Sequence, residues 1–220
     1  MALILNINTA GSPASVCLAR DTQTLSFAQS TYQKDHASWL HPAVKQIIAD
    51  AGLSIKDTEA IAVTTGPGSY TGLRIGLSAA KGLSFALNIP LIAINLLEVM
   101  ARAAKTERAD FFCPVIDARR MEVFMAVYDK NMETVVAPCA VIVEPGSFFS
   151  LQARGKIVFI GNGSEKIKQT ISHSNVIFSN RVVSSMDMIG LSANNFEEKR
   201  FVDTAYVEPL YIKEFYSAAR

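Results

Sequence analysis

The stretch GPGSYTGLRIGLSAAKGLSFAL, Gly66 to Leu87, decides the fold. It follows the aliphatic run AIAVTT (60–65) and leads into LIAIN (91–95), so it reads as strand, tight glycine loop, long helix, strand. Asn88 tolerates a left-handed backbone and Pro90 cannot continue a helix, so the helix ends between them and Leu87. A glycine loop before a helix can cradle phosphate with the helix's free N–H groups. The spacings GxxxxGK[ST] and GxGxxG are both absent, however, and a tight strand-to-helix turn needing a positive φ is the stronger reading. The helix is apolar on two faces: Leu73, Gly76, Leu77, Ala80, Leu83 and Leu87 form one stripe, Ile75, Ala79, Gly82 and Ala86 another. Each interior glycine costs about 1 kcal/mol relative to alanine, so the small residues call for a reason. One face is expected on the parent sheet, and the small-residue face is expected to admit a neighbouring helix and a partner molecule. The alternative is a helix buried wholly within its own chain.

Upstream, LILNIN (3–8), ASVCLAR (14–20) and TLSFAQS (24–30) read as three strands. A helix follows over 35–51, with Asp35 as N-cap, Gly52 after its end, and Leu40, Val44, Ile47, Ile48 and Ala51 on one stripe. Pro42 inside it predicts a kink, or a start near His41. LLEVMARAAK (96–105) is a further helix. A polar stretch at 106–110 marks a boundary between a first lobe, 1–105, to which 206–220 return, and a smaller second lobe, 106–205. In the second lobe, 112–118 and 122–129 read as a strand pair and 139–144 as a third strand. A short helix opens at Pro145, strands follow at 156–163 and 175–178, and a helix spans 184–196. The element order βββαβα thus occurs twice, the second time weakened. It implies an α/β protein of duplicated, actin-like architecture.

Half of the 220 residues are apolar, and 21 basic against 20 acidic residues leave a net charge of +1. That balance supplies no electrostatic footprint for nucleic acid, and if the function involves RNA another subunit is expected to supply most of the grip. Cys17, Cys113 and Cys139 lack metal-ligand spacing, and Cys17 and Cys113 read as buried free thiols. His36 and His41 are five apart, a poor match to a helical zinc pair; His173 is the third histidine, and HExxH is absent. Without a signal peptide or a long apolar run, the expected location is the cytoplasm. Asp117, Arg119 and Glu122 could form a site, but an ion-pair cluster holding a turn is the plainer expectation.

The block GPGSYTGLRIG (66–76), then AAKGL and NIPLIAIN (88–95), resembles the signature of the TsaB (YeaZ) family. Asn8-Thr9-Ala10 stands where the family has Asp-Thr-Ala after its first strand. Ile116-Asp117-Ala118-Arg119 before Glu122-Val123-Phe124, and Pro209 to Lys213 near the end, match further family motifs. The resemblance covers most of 3–129 and the tail. It implies the actin-like fold (ASKHA, ribonuclease H-like) and a non-catalytic subunit. Such a subunit supports the catalytic subunit TsaD, together with TsaE, in threonylcarbamoylation of the adenosine next to the anticodon in tRNAs reading codons beginning with A. TsaD-like proteins hold a metal on histidines, and the matching positions here are Asn95, Leu96 and Met100; Asn8 replaces the aspartate of the superfamily's first phosphate loop. The resemblance therefore implies no catalytic residues, no metal and no cofactor held by this chain alone. ATP or ADP and metal would belong to partner subunits, with room left for a nucleotide at the shared interface.

The expected partner interface is His36, Trp39, Leu40, Leu73, Gly76, Leu77, Ala79, Ala80 and Leu83. The expected motif residues, structural or weakly nucleotide-binding, are Asn8, Thr9, Gly66, Gly68, Ser69, Thr71, Gly72, Arg74, Asp117, Arg119 and Glu122. The expected partners are TsaD directly, TsaE through it, a second copy when alone, and tRNA indirectly, with no membrane. The rivals are a small ATPase or kinase of the same fold, and a metallopeptidase.

Overall fold

The structure, a computed structural model, describes residues 2–31, 36–171 and 174–213, and of Phe149 the backbone alone. Asp35 and His173 lie outside the described residues. The chain divides into two compact units, one made of 1–99 and 183–210, the other of 100–182 with the segment from Tyr211 onward.

In the first unit, β1 (Leu3–Asn8), β2 (Ser15–Arg20) and β3 (Gln23–Gln29) form an antiparallel meander, and β4 (Ala60–Gly66) and β5 (Leu91–Asn95) join β1 in parallel. The sheet order is β3-β2-β1-β4-β5. Alternation along β1 divides its residues between the faces. Leu3, Leu5 and Ile7 share a core with Leu40, Val44, Ile47, Leu77 and Ala80 from α1 (His36–Asp50) and α2 (Tyr70–Leu87). On the opposite face, Cys17 and Ala19 pack on Ile189 of α6 (Ile189–Glu197), which follows a short 3-10 turn at Ser185–Met188. Helix α3 (Leu96–Ala103) spans the division between the units.

The second unit repeats the plan. β6 (Phe111–Asp117), β7 (Glu122–Asp129) and β8 (Thr134–Ile142) form the meander; β9 (Ile157–Ile160) and β10 (Val176–Ser179) add in parallel, giving β8-β7-β6-β9-β10. Strand for strand, this is the order of the first sheet, and the duplication expected from the element order is present. The helices are reduced to α4 (Phe149–Gln152) and α5 (Ser164–Thr170). Phe148, Phe159 and Phe178 fill the core, the first pair edge to face at 5.0 Å and the second stacked at 5.7 Å.

Four expectations differ from this. Pro42 neither kinks α1 into two nor starts it; it lies on the exposed side, where a lost backbone hydrogen bond is least costly. β8 begins at Thr134 and ends at Ile142 rather than spanning 139–144, because Pro138 hides a strand that, at the sheet edge, can tolerate it. Helix α5 had no counterpart in the sequence reading. Residues 183–205, assigned from sequence to the second lobe, cluster with the first unit, where Val202 bridges Leu91, while 211–213 cluster with the second.

Cys17 and Cys113 are buried free thiols, and burial pushes the Cys17 thiol up to about 11. No helix among the described residues is long and apolar enough to cross a membrane.

Candidate functional site

In the first unit the family-motif residues converge where β1 ends beside the loop from β4 to α2. Gly66 takes a φ of 121°, closed to most side chains, and the Gly66–Pro67 peptide is cis. Ser69 caps α2, its hydroxyl accepting the Gly72 N–H at 3.2 Å. The glycines then serve close approach to β1. A Cβ on Gly68 would meet the Ala10 carbonyl at 2.4 Å, one on Gly72 the Thr9 carbonyl at 2.1 Å, and one on Gly76 the Thr9 hydroxyl at 2.1 Å. Thr9 donates its hydroxyl to the Gly72 carbonyl at 2.7 Å, and Ser69 N–H donates to Ala10 O at 2.9 Å. The loop is thus clamped onto the chain's own backbone, and the N–H groups of Ser69, Gly72 and Leu73 all have acceptors within the chain. Thr71 and Arg74 point outward, with the Arg74 guanidinium 4.0 Å over the Tyr70 ring.

Asn8 is fully buried and accepts the Thr64 hydroxyl at 3.1 Å, while its Nδ2 has no partner among the described residues. A neutral amide sealed from solvent is no base. Asn95 uses its side-chain oxygen to accept the Leu97 N–H at 2.9 Å at the start of α3, and Leu96 and Met100 are buried. Among the described residues no three His, Cys, Asp or Glu side chains could share a metal ion.

Of the nine residues expected at a partner surface, seven are buried inside the chain: His36, Leu40, Leu73, Gly76, Leu77, Ala79 and Ala80. Trp39 and Leu83 are half-buried against the same core. The expectation that glycine and alanine line an open flank is corrected for Gly76, Ala79 and Ala80, which pack on β1, Thr9 and the sheet core. The exposed stripe of α2 lies on its other side: Thr71, Arg74, Ser78, Gly82, Phe85 and Ala86, bordered by Ile75 and Leu83. A Cβ on Gly82 would meet nothing within 4 Å. Phe85 is 84% exposed and Tyr206 is 83% exposed, and Lys81, one turn before Phe85, donates to the carbonyls of Ala205 and Val207 on either side of Tyr206, at 3.2 and 3.1 Å. The sequence reading passed over Phe85 and Tyr206; their aromatic character at positions off the core stripe was the available signal.

The same unit holds a cavity of about 440 Å³ lined by Lys56, Asp57, Thr58, Glu59, Ile89, Pro90, Phe196, Lys199 and Phe201. Its two carboxylates are engaged: Asp57 accepts the Ser54 N–H and Glu59 the Leu3 N–H, each at 2.7 Å.

In the second unit, Asp117, Arg119 and Glu122 sit on the β6–β7 turn. Asp117 accepts the Arg119 N–H at 2.6 Å and Lys166 Nζ at 2.8 Å, and Lys166 beside it holds its carboxyl below the ordinary value of 3.8. Glu122 pairs with Lys213 at 2.5 Å. The ion-pair cluster is therefore real, but its cations are Lys166 and Lys213, and the side chain of Arg119 pairs with no carboxylate among the described residues.

Residues 28–214 match the family model described as TsaD, tRNA N6-adenosine threonylcarbamoyltransferase. The chain is 29% identical to the tRNA threonylcarbamoyladenosine biosynthesis protein TsaB of Escherichia coli K12, over 96% of this chain and 94% of that protein. It is 32% identical to the TsaB protein of Bacillus subtilis 168, over 76% and 74%. YeaZ from Pseudomonas aeruginosa superposes with a TM-score of 0.82 at 25% identity, over 96% of this chain and all of that one. At 8% identity and a TM-score of 0.51, the ADPNP-bound activator of a Clostridium difficile 2-hydroxyisocaproyl-CoA dehydratase shares the fold alone.

Proposed function

This chain belongs to the TsaB (YeaZ) family, within the group covered by the threonylcarbamoyltransferase model, and on that premise we propose that it is a non-catalytic subunit of the assembly that makes threonylcarbamoyladenosine in tRNA. It docks the catalytic TsaD-type subunit with the exposed stripe of α2, and TsaE joins the pair. In the absence of that partner, two copies meet through the same self-complementary face.

The observation that carries the reading is the exposure of Phe85, on the helix whose Lys81 holds the carbonyls flanking the equally exposed Tyr206. A helix that buries one side this thoroughly and still presents a phenylalanine almost fully to water has an anchor for another protein. The open space at Gly82, one turn away, lets a foreign backbone approach. Trp39 and Leu83 border the contact, and Leu40, Leu77, Ala79 and Ala80 act from within by setting the position of α2.

Supporting a non-catalytic role, the superfamily's catalytic aspartate position holds a buried amide, Asn8, and the histidine positions are a helix cap, Asn95, and two buried apolar side chains, Leu96 and Met100. The glycine loop grips Thr9 and Ala10 where a phosphate-binding loop would hold its donors free. Nucleotide and metal in this reading belong to the partner subunits.

The test is calorimetric titration of the TsaD-type subunit with wild-type chain and with Phe85→Asp. Affinity is expected to fall at least about tenfold, about 1.4 kcal/mol, with the melting temperature of the isolated chain unchanged. Equal affinity for the variant defeats this reading of α2. Turnover of ATP by the isolated chain with magnesium defeats the non-catalytic assignment.

A further inference from the structure

The β6–β7 turn carries a feature that partner docking leaves unexplained. Arg119 and Arg120 are consecutive, and both have positive φ, 70° and 48°. For residues with a Cβ that region is disfavoured, and Asn, Asp or Gly is the usual solution. Two arginines in succession there keep a strained backbone where a glycine would relieve it, and such outliers cluster at functional sites. The strain is fixed in place: Ala118 N–H donates to Glu122 O at 3.1 Å, Glu122 N–H to Arg119 O at 3.2 Å, and Arg119 N–H to the Asp117 carboxylate at 2.6 Å.

Charge at the tip is unbalanced. Its two carboxylates are matched by lysines, Asp117 by Lys166 and Glu122 by Lys213. Lys166 also donates to the Glu122 carbonyl at 2.9 Å, tying the base of the hairpin to α5. Arg119 and Arg120 are exposed, and neither guanidinium has a partner among the described residues. Two forks capable of bidentate contact with an oxyanion thus stand side by side on a braced hairpin.

We propose that the Arg119–Arg120 turn is a phosphate grip that holds two neighbouring phosphodiesters of the RNA substrate. The assignment rests on the tRNA-modifying role proposed above, which supplies the polyanion. Consecutive Cα atoms stand about 3.8 Å apart, so two long arms reach adjacent phosphates of one strand. Contacts of this kind position an RNA without reading its sequence. They also need no broad basic surface, in keeping with a chain whose net charge is +1.

The test uses the full chain, alone and with its TsaD-type partner, and a fluorescently labelled tRNA transcript, followed by anisotropy across a sodium chloride series. Arg119→Asn/Arg120→Gly removes both charges and suits the positive φ values, so it is expected to melt higher than wild type. It is expected to flatten the slope of log K against log salt by about 1.4–1.8, the loss of two phosphate contacts. Arg119→Lys/Arg120→Lys keeps the charges and is expected to keep most of the slope. Superimposable salt curves for wild type and Arg119→Asn/Arg120→Gly overturn the proposal, as does absence of tRNA binding by wild type both alone and with partner. So does an effect confined to competing ATP–magnesium. Partner affinity, measured by calorimetry on the same variant, is expected to be unchanged, which separates failure of this grip from failure of the docking surface at Phe85.

Discussion

Thr9 and Gly76 touch so closely that a methyl group on the glycine would sit 2.1 Å from the threonine hydroxyl, a distance no side chain tolerates. The same threonine donates its hydroxyl hydrogen bond to the Gly72 carbonyl, so one residue at the end of β1 sets the seating of the first two turns of α2.

Gly76→Ala should therefore destabilise the protein by about 2 kcal/mol or more in urea unfolding, although alanine is intrinsically the better helix former by about 1 kcal/mol. Combining it with Thr9→Ala removes the hydroxyl that clashes, and the double variant should recover part of that loss. Strict additivity of the two costs would show that the contact does not govern helix seating.

Ala80 has no exposure and faces the same core. Ala80→Glu buries an unpaired carboxylate and should cost more than about 3 kcal/mol, leaving the chain largely unfolded when expressed at 37 °C. Phe85→Ser, on the opposite side of the helix, should change stability by no more than about 0.5 kcal/mol and reduce self-association in sedimentation velocity. The contrast checks which side of α2 looks outward.

Asn8→Asp would put back the carboxylate that the superfamily uses, but into a place sealed from water where the Thr64 hydroxyl donates to this side chain at 3.1 Å. A loss of about 2–4 kcal/mol at pH 7 is expected. Burial raises the folded-state pKa of such an acid, so the native state binds more protons than the unfolded one between the two pKa values. Stability of the variant should therefore be greatest below the unfolded value and decline as pH rises toward the folded one. A wild-type-like pH profile would mean that the site admits solvent.

Asp117 shifts the other way. Lys166 depresses its pKa below 3.8, so its contribution to stability is present above that value and is lost as pH falls through the folded-state value. Carboxyl chemical shifts followed by NMR should titrate Asp117 below its ordinary range, and Lys166→Met should return it there. Because Asp117 is largely exposed, the effect on overall stability is expected to be small.

Both sheets could be read from the chain because their strands are aliphatic runs separated by turn residues. The exception, β8, was shortened by Pro138, which an edge strand carries and a central one could not. The interface was harder. Helix α2 has apolar residues on two sides, and periodicity says that both are covered without saying by what. Deciding between them required knowing that Thr9, far away in sequence, lies against Gly72 and Gly76. Small residues gathered on one face equally describe a helix that meets another molecule and one that meets its own first strand. Arg119 was legible as part of a family motif, while its backbone conformation, and that of Arg120, was not.

The first unit is discontinuous along the chain, and this sets an order of events during synthesis. All strands of its sheet have emerged by Asn95, yet the elements lying over Cys17 and Ala19, and the residue that bridges Leu91, come only after Val182. The second sheet, closed by Ser179, also has all its strands before that covering helix appears. On the ribosome the first sheet is thus assembled long before the helix that covers Cys17 and Ala19, and that apolar face stays bare until the residues after Val182 arrive.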